Sequence, residues 1–266
     1  MSIVILKDEI VHYEVLGRGR PLIFLHGWVG SWRYWIPAMQ AASISFRTYA
    51  IDLWGFGDTA KVVDNYSLEQ QVNLLDEFLQ EMGIGKIALI GHGLGAVIGM
   101  LYAYRYRKFV DRVMAISMPN GRHSLNQRMY SDAPMELAEW LLGRTTDGEA
   151  ARGETTKADQ RAIQFSLANL KNIEMSTLSQ NLTTPCLMVY GQNDPAVEEI
   201  KTQDPFSEQA APPDLTHEIV FEQSGHFPML DEPTKFHRLV ADFLSLSSGT
   251  SPKQLSIKEE WKRRVR

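Results

Sequence analysis

The chain has 266 residues, a formal net charge of −5, 44% hydrophobic residues and 22% charged residues. That balance excludes disorder of the whole chain, and the length fits one large domain or one domain carrying an insertion. There is no basic surplus to neutralise phosphates, which argues against nucleic acid as a partner, and the lone Cys186 rules out an internal disulfide.

At the amino terminus Lys7, Asp8 and Glu9 interrupt the apolar run, so it reads as neither signal peptide nor membrane span. No later apolar run reaches about 18 residues, and the expectation is a cytoplasmic protein without a membrane span. Ile3–Leu6 and Ile10–Val15 are short β-rich runs that predict two antiparallel strands joined by a turn. Pro21–Leu25 is a continuous apolar run, as a strand buried on both faces requires. Phe46–Leu53 predicts another strand. Ser67 with Gln70 forms a capping box, and Val72, Leu75, Phe78, Leu79 and Met82 follow at helical spacing up to Gly83.

Lys86–Ile90 predicts a buried strand, Ala96–Tyr106 a helix and Arg112–Ser117 a strand. Such alternation implies a mostly parallel sheet with helices on both faces. From about Asn120 to Asn181 it stops. Met135–Leu142 and Ala162–Leu170 are helical patches, and Arg144–Gln160, without a large apolar residue, reads as a mobile loop. Strands resume at Pro185–Tyr190 and Glu218–Phe221, and a last helix over Pro233–Leu246 buries Phe236, Leu239, Val240 and Phe243. The expected organisation is a core over 1–119 and 182–246, a helical lid over 120–181 and a polar-basic tail over 247–266. The tail, ending Trp261-Lys262-Arg263-Arg264, reads as a frayed solvated end, with a contact surface as the alternative.

Ligands of open α/β sheets bind outside the carboxyl ends of the strands. His26-Gly27-Trp28, the turn around Gly93, Asp194 and His226 all fall at such ends. The HGW at 26–28, the DLWGFG loop at 52–57, the GHGLG turn at 91–95, GQNDPAV at 191–197 and SGHFPMLDEP at 224–233 resemble signatures of the α/β-hydrolase family. The resemblance spans Ile3 to Leu246. It implies an α/β-hydrolase fold and the family order of nucleophile, acid and histidine, here position 93, Asp194 and His226.

The departure is at the nucleophile. The family's elbow is G-x-S-x-G, and this chain has Gly91-His92-Gly93-Leu94-Gly95. Glycine offers no side chain, so no acyl-enzyme forms there. It also relieves the backbone strain of such an elbow, on the order of 1–3 kcal/mol for a side-chain-bearing residue. The resemblance leaves His226 as general base, Asp194 as its orienting carboxylate, and the backbone N–H groups of Trp28 and Leu94 as an oxyanion hole. It implies a small, mainly apolar ester, amide or related carbonyl substrate, and no cofactor. Several readings stay open: a natural enzyme using the dyad with water, proton-transfer chemistry of the cofactor-independent oxygenase or lyase type, a non-catalytic small-molecule binding protein, or a serine deliberately exchanged for glycine. The retained Asp194 and His226 favour an enzyme or a deliberate exchange, because a pure binding module does not need both.

Other chemistry-bearing residues read as structural. His92 is expected to pack, Ser117 to be a satisfied strand-end hydroxyl, Ser31 to cap the helix after the HGW loop and Cys186 to be inert core. His26 is expected to shape its loop, and Asp231 and Glu232 to serve the N-terminus of the following helix. Trp28, Trp32, Tyr34, Trp35 and Trp54 cluster at one sheet edge. Of these Trp32 and Trp54 are candidates to line an apolar pocket, with Met129, Met135 and Trp140 in its lid. No clustered ligand spacing suggests a metal site.

Overall fold

The computed structural model describes residues 2–173, 175–197 and 215–258. Eight strands, β1 (Ser2–Leu6), β2 (Glu9–Leu16), β3 (Arg20–Leu25), β4 (Phe46–Ile51), β5 (Ile87–His92), β6 (Val110–Ile116), β7 (Cys186–Gly191) and β8 (Thr216–Phe221), make one sheet in the order β1-β2-β4-β3-β5-β6-β7-β8. β2 runs antiparallel to both β1 and β4, and the pairings from β4 to β8 are parallel. All six residues of β5 are buried, as a central strand covered on both faces requires.

Helices fill the two faces. Leu68–Glu81 buries Val72, Leu75, Phe78 and Leu79, each worth about 1.5–3 kcal/mol when fully removed from water. The Ser67 hydroxyl accepts from the Gln70 N–H at 3.2 Å. The Gln70 side chain instead accepts from Lys7 Nζ at 2.6 Å, so the predicted capping box closes on one side only. The helix Leu94–Arg105 begins two residues before the predicted Ala96, because the chain passes from the Gly93 turn straight into helical geometry. The last helix, Pro233–Ser245, buries the four expected apolar residues. Its C-terminal carbonyls at Phe243 and Leu246 accept from the buried Arg112 guanidinium.

Between β6 and β7 the described residues form helices Arg128–Ser131, Pro134–Leu141, Thr146–Thr155, Gln160–Asn169 and Met175–Gln180. The third of these corrects the loop expected over Arg144–Gln160. Thr145 caps it, accepting from Gly148 N–H at 3.0 Å. Its buried face consists of small and charged residues, Ala151, Arg152, Glu154 and Thr155, so hydrophobic periodicity does not reveal it. Glu154 fastens the helix to the core. Its carboxylate accepts from Ser31 Oγ at 3.2 Å and Arg33 Nε at 3.1 Å and pairs with Lys157 at 3.1 Å. Asp159 adds a second tether, accepting from Tyr66 Oη at 2.8 Å.

The tail also differs from expectation over its described part. Ser248 Oγ donates to Asp111, the Leu255 carbonyl contacts His217 Nε2 at 3.1 Å, Pro252 is buried and Lys258 pairs with Asp242. Polar anchors and the packing of Leu255 and Ile257 against the core together hold it down. The Trp261-Lys262-Arg263-Arg264 end lies outside the described residues. Among those described, no helix is long and apolar enough to cross a membrane.

Candidate active site

The parallel strands end at one edge of the sheet, and their C-terminal loops carry the polar residues. β5 runs into Gly93, which takes φ 50° and ψ −110° before the helix starts. A β-carbon added at Gly91 would meet Gly95 O at 2.3 Å, and one added at Gly95 would meet Leu25 O at 2.3 Å. Strand and helix therefore meet backbone to backbone on either side of the turn. At Gly93 a β-carbon would stand 3.2 Å from Cε3 of Trp28 and 3.5 Å from Gly27 Cα. The buried Trp28 indole thus lies over the bare turn. Its Nε1–H donates to Ser166 Oγ at 2.9 Å, which ties it to the helix Gln160–Asn169.

Asp194 follows β7, and His226 follows β8. His226 Nδ1 lies 2.8 Å from Asp194 Oδ2 and 3.1 Å from Oδ1. Asp194 Oδ1 also accepts from the N–H groups of Ala196 at 2.8 Å and Val197 at 3.2 Å. Burial opposes the charged carboxylate, but the His226 charge, its hydrogen bond and the two backbone donors outweigh it, and the Asp194 pKa lies below the usual carboxylate value. An ionised acceptor at Nδ1 fixes the proton there and leaves the Nε2 lone pair as the basic site. The His226 carbonyl lies 2.8 Å from His92 Nε2 and accepts from Ser117 Oγ at 3.0 Å.

His26 is fully buried and joins two loops. Its Nδ1 is 2.8 Å from Gly27 O, and its Nε2 accepts from Leu53 N–H at 3.0 Å. Burial lowers its pKa despite the Asp52 charge nearby. Ser31 caps the 3-10 turn Trp32–Trp35, accepting from Arg33 N–H at 3.3 Å. Cys186 is buried beside Met100, and burial pushes its thiol up to about 12. Glu232 stands at the N-terminus of the last helix and pairs with Lys235 in its first turn at 2.9 Å, although no side chain caps that end. Asp231 Oδ2 accepts from Gly225 N–H at 2.9 Å and Glu232 Oε2 from Ser224 Oγ at 2.7 Å. Both reach back to the loop that carries His226, because the short helical turn Pro228–Asp231 folds them over it.

The aromatic residues divide. Trp54 is fully buried, its backbone N–H and C=O are both bonded to the Gln71 amide, and its indole Nε1 has no partner among the described residues. Met129 is buried. Trp32 lies beside His12, with ring centroids 5.8 Å apart, and its backbone N–H donates to Asp52 Oδ1 at 2.9 Å. Trp140 lies under the Arg128 guanidinium, 4.4 Å from its ring centroid, in an outward-opening groove with Met135, Glu136 and Glu139. Tyr34 emerges as a residue that sequence reasoning left in the aromatic cluster. Its hydroxyl accepts from Gly27 N–H at 2.7 Å and lies 3.0 Å from His92 Nδ1.

One group of potential metal ligands does converge: His12, Asp52 and Asp58 present ligand atoms within 4.8 Å of one another. The residues are too far apart in sequence to form a ligand-spacing motif. His12 Nδ1 and Asp52 Oδ2 are already hydrogen-bonded at 2.8 Å, and the same oxygen accepts from Asp58 N–H at 3.0 Å. The Asp58 carboxylate pairs with Lys157 at 3.1 Å, so each of the three groups already has a protein partner.

The Alpha/beta hydrolase family matches residues 22–239, and the chain belongs to that family. Over 111 residues, 42% of this chain and 39% of the relative, it is 32% identical to a soluble epoxide hydrolase of Corynebacterium sp.. Over 256 residues, 87% of this chain and 97% of the relative, it is 22% identical to a pimeloyl-(acyl-carrier protein) methyl ester esterase of Vibrio vulnificus. Among solved structures it resembles an esterase from Exiguobacterium antarcticum, with a TM-score of 0.78 and 16% identity, covering 92% of this chain and 99% of the other. It also resembles a serine-to-glycine mutant of the N-acyl homoserine lactonase AidH complexed with N-hexanoyl homoserine lactone, with a TM-score of 0.77 and 21% identity, covering 91% and 96%.

Proposed function

We propose that this chain acts on a small, mainly apolar ester, amide or related carbonyl compound through general-base chemistry at His226, with no covalent intermediate. The observation that carries this reading is the buried His226–Asp194 pair, at 2.8 Å, in contact with the residue that precedes Gly93. His226 Nε2 takes a proton from water as the water oxygen bonds to the carbonyl carbon. The same proton then passes to the leaving oxygen or nitrogen as that bond breaks, so Asp194 never carries it. The N–H groups of Trp28 and Leu94 serve as the oxyanion donors. Leu94 is the first residue of its helix, where backbone N–H groups lack an intrahelical acceptor, which supports that role. The helices over 120–181 act as the lid, and Trp28 forms one wall of the site under it.

Triad enzymes that lack one member still work about 1,000–10,000-fold faster than water alone. That amounts to about 4–5.5 kcal/mol of barrier lowering, so slow turnover without a burst is expected. The test is hydrolysis of short aryl esters by the unaltered chain and by His226→Ala, together with a serine-directed phosphonate probe. Turnover that His226→Ala abolishes, with no phosphonate label, supports the reading. Turnover that survives His226→Ala overturns it. No turnover, combined with a melting temperature raised by short apolar esters, would move the chain to the binding class.

A further inference from the structure

We propose that His92, Tyr34 and Ser117 are positioning residues that hold the His226 backbone and couple it to the loop carrying the Trp28 N–H. The inference rests on His226 being the base.

Asp194 orients the His226 ring only at Nδ1. A ring held at one atom still swings with its own backbone, so the placement of Nε2 depends on what fixes residue 226. Its carbonyl oxygen is gripped from two neighbouring strand ends, by His92 Nε2 at 2.8 Å and by Ser117 Oγ at 3.0 Å. Those contacts use both lone pairs of that oxygen. The carbonyl only accepts, so His92 carries its proton on Nε2 and its Nδ1 is bare. Tyr34 Oη, 3.0 Å from that nitrogen, must therefore donate to it, and the same Oη accepts from Gly27 N–H at 2.7 Å. Each donor and acceptor in the chain has one possible direction: Gly27 N–H to Tyr34, Tyr34 O–H to His92 Nδ1, His92 Nε2–H to the His226 carbonyl. Gly27 immediately precedes Trp28, so one network spans the proposed oxyanion donor and the base.

Three further observations fit a fixed, uncharged link. Burial first, and then the nearby His226 charge, push the His92 pKa well below the ordinary imidazole value. The His92 and His226 rings pack with centroids 4.7 Å apart, and Phe227 seals the other contact at 4.5 Å. Ser117, although not glycine, is held at φ 46°, with its N–H donating to Val189 O at 2.8 Å. Such backbone strain persists only where surrounding contacts enforce it, and here it aims the hydroxyl at the His226 carbonyl. A residue that merely packed at 92 would need neither nitrogen.

The experiment is nitrogen-15 NMR of the full chain with labelled histidine, which reads tautomers and the low-field Nδ1–H signal of His226 without any substrate. In the unaltered protein His92 is expected as the pure neutral Nε2–H tautomer. His92→Phe is expected to lose the His226 Nδ1–H signal to solvent exchange, and His92→Gln, which keeps a donor near the Nε2 position, to retain it. Tyr34→Phe is expected to leave His92 as the Nε2–H tautomer but to shift its Nδ1 resonance and the Gly27 amide, because both lose their hydroxyl partner, and Ser117→Ala to broaden the His226 signal. The proposal is overturned if His92 is the Nδ1–H tautomer, or if the His226 signal is the same in His92→Phe as in the unaltered chain. Should His92→Phe not fold, Tyr34→Phe and Ser117→Ala decide, and unchanged His92 and His226 signals in both overturn it. Since no turnover is measured, an inactive protein with the expected signals would defeat the base assignment and leave the positioning network standing.

Discussion

Among the described residues, two buried histidine–aspartate pairs share the same separation. His226 Nδ1 lies 2.8 Å from Asp194, and His12 Nδ1 lies 2.8 Å from Asp52. What differs is the other side of each ring and the other bonds of each carboxylate. His12 Nε2 faces Glu14 at 3.4 Å, so both of its nitrogens look at carboxylates. Burial works against its charged form, but Asp52, Glu14 and Asp58 outweigh it and raise its pKa. Asp52 meanwhile holds the N–H groups of Trp32 and Asp58, and a β-carbon at Gly57 would collide with its carboxylate. That pair is a clamp: a ring whose two nitrogens both face carboxylates joins β2 to the loop after β4. In the other pair the Asp194 carboxylate orients a ring whose second nitrogen is not committed to an acid. A distance between imidazole and carboxylate therefore says little about chemistry, and the environment of Nε2 decides it.

Several measurements would break or sharpen this contrast. The largest effect is expected from Asp194→Asn, which no longer fixes the His226 tautomer. The corresponding change in triad enzymes lowers kcat about 10,000-fold, and here ester turnover should fall to the water background. Asp52→Asn should leave turnover largely intact in the fraction that stays folded. Next, Asp52→Ala should cost about 3–5 kcal/mol, the usual loss when one partner of a buried ion pair is removed, read as a lower urea midpoint. Equal turnover losses in the two aspartate variants would erase the distinction drawn here.

Gly93→Ser should cost about 1–3 kcal/mol for a side chain at positive φ, and the Trp28 ring must also yield by a few tenths of an ångström to admit it. A chain of this size should then lose a few degrees in Tm, at about 2–4 °C per kcal/mol. A Tm at or above that of the unaltered chain would show that the turn already tolerates a side chain. Phosphonate labelling of the variant would report whether the hydroxyl is usable.

The smallest effect is the pH dependence, and its sign separates the pairs. His12 has a raised folded pKa, so its stabilisation is complete below the unfolded value of about 6.5 and is lost as pH rises through the folded value. Asp194 has a lowered folded pKa, so its contribution is present above the unfolded carboxylate value and is lost as pH falls through the folded one. His12→Gln should remove the alkaline decline in urea midpoint and leave the acid decline unchanged. An alkaline decline that persists in His12→Gln would assign it to another group.

Much of this architecture is legible in the amino-acid order. The buried runs at Leu22–Leu25 and Ile87–Ile90 have no polar residue to place, so they must be central strands. The chemistry-bearing residues could be placed at strand ends because an open α/β sheet leaves that edge for ligands, and Gly93 is visible as a missing side chain from its own position. The rest needed the third dimension. The helix Thr146–Thr155 is held by Glu154 reaching across the chain to Ser31 and Arg33, a pairing with no local pattern. Asp231 bonds the Gly225 N–H rather than the helix that follows it, because a short helical turn reverses its direction. Local propensity and hydrophobic period act over a few residues, so sequence alone determines the strands and the amphipathic helices of the core and their order, but not a helix such as Thr146–Thr155 whose buried face is not apolar. Hydrogen-bond partners lie tens of residues apart, so only the folded arrangement decides that His226 is gripped by His92 and Ser117 while His12 is locked between acids.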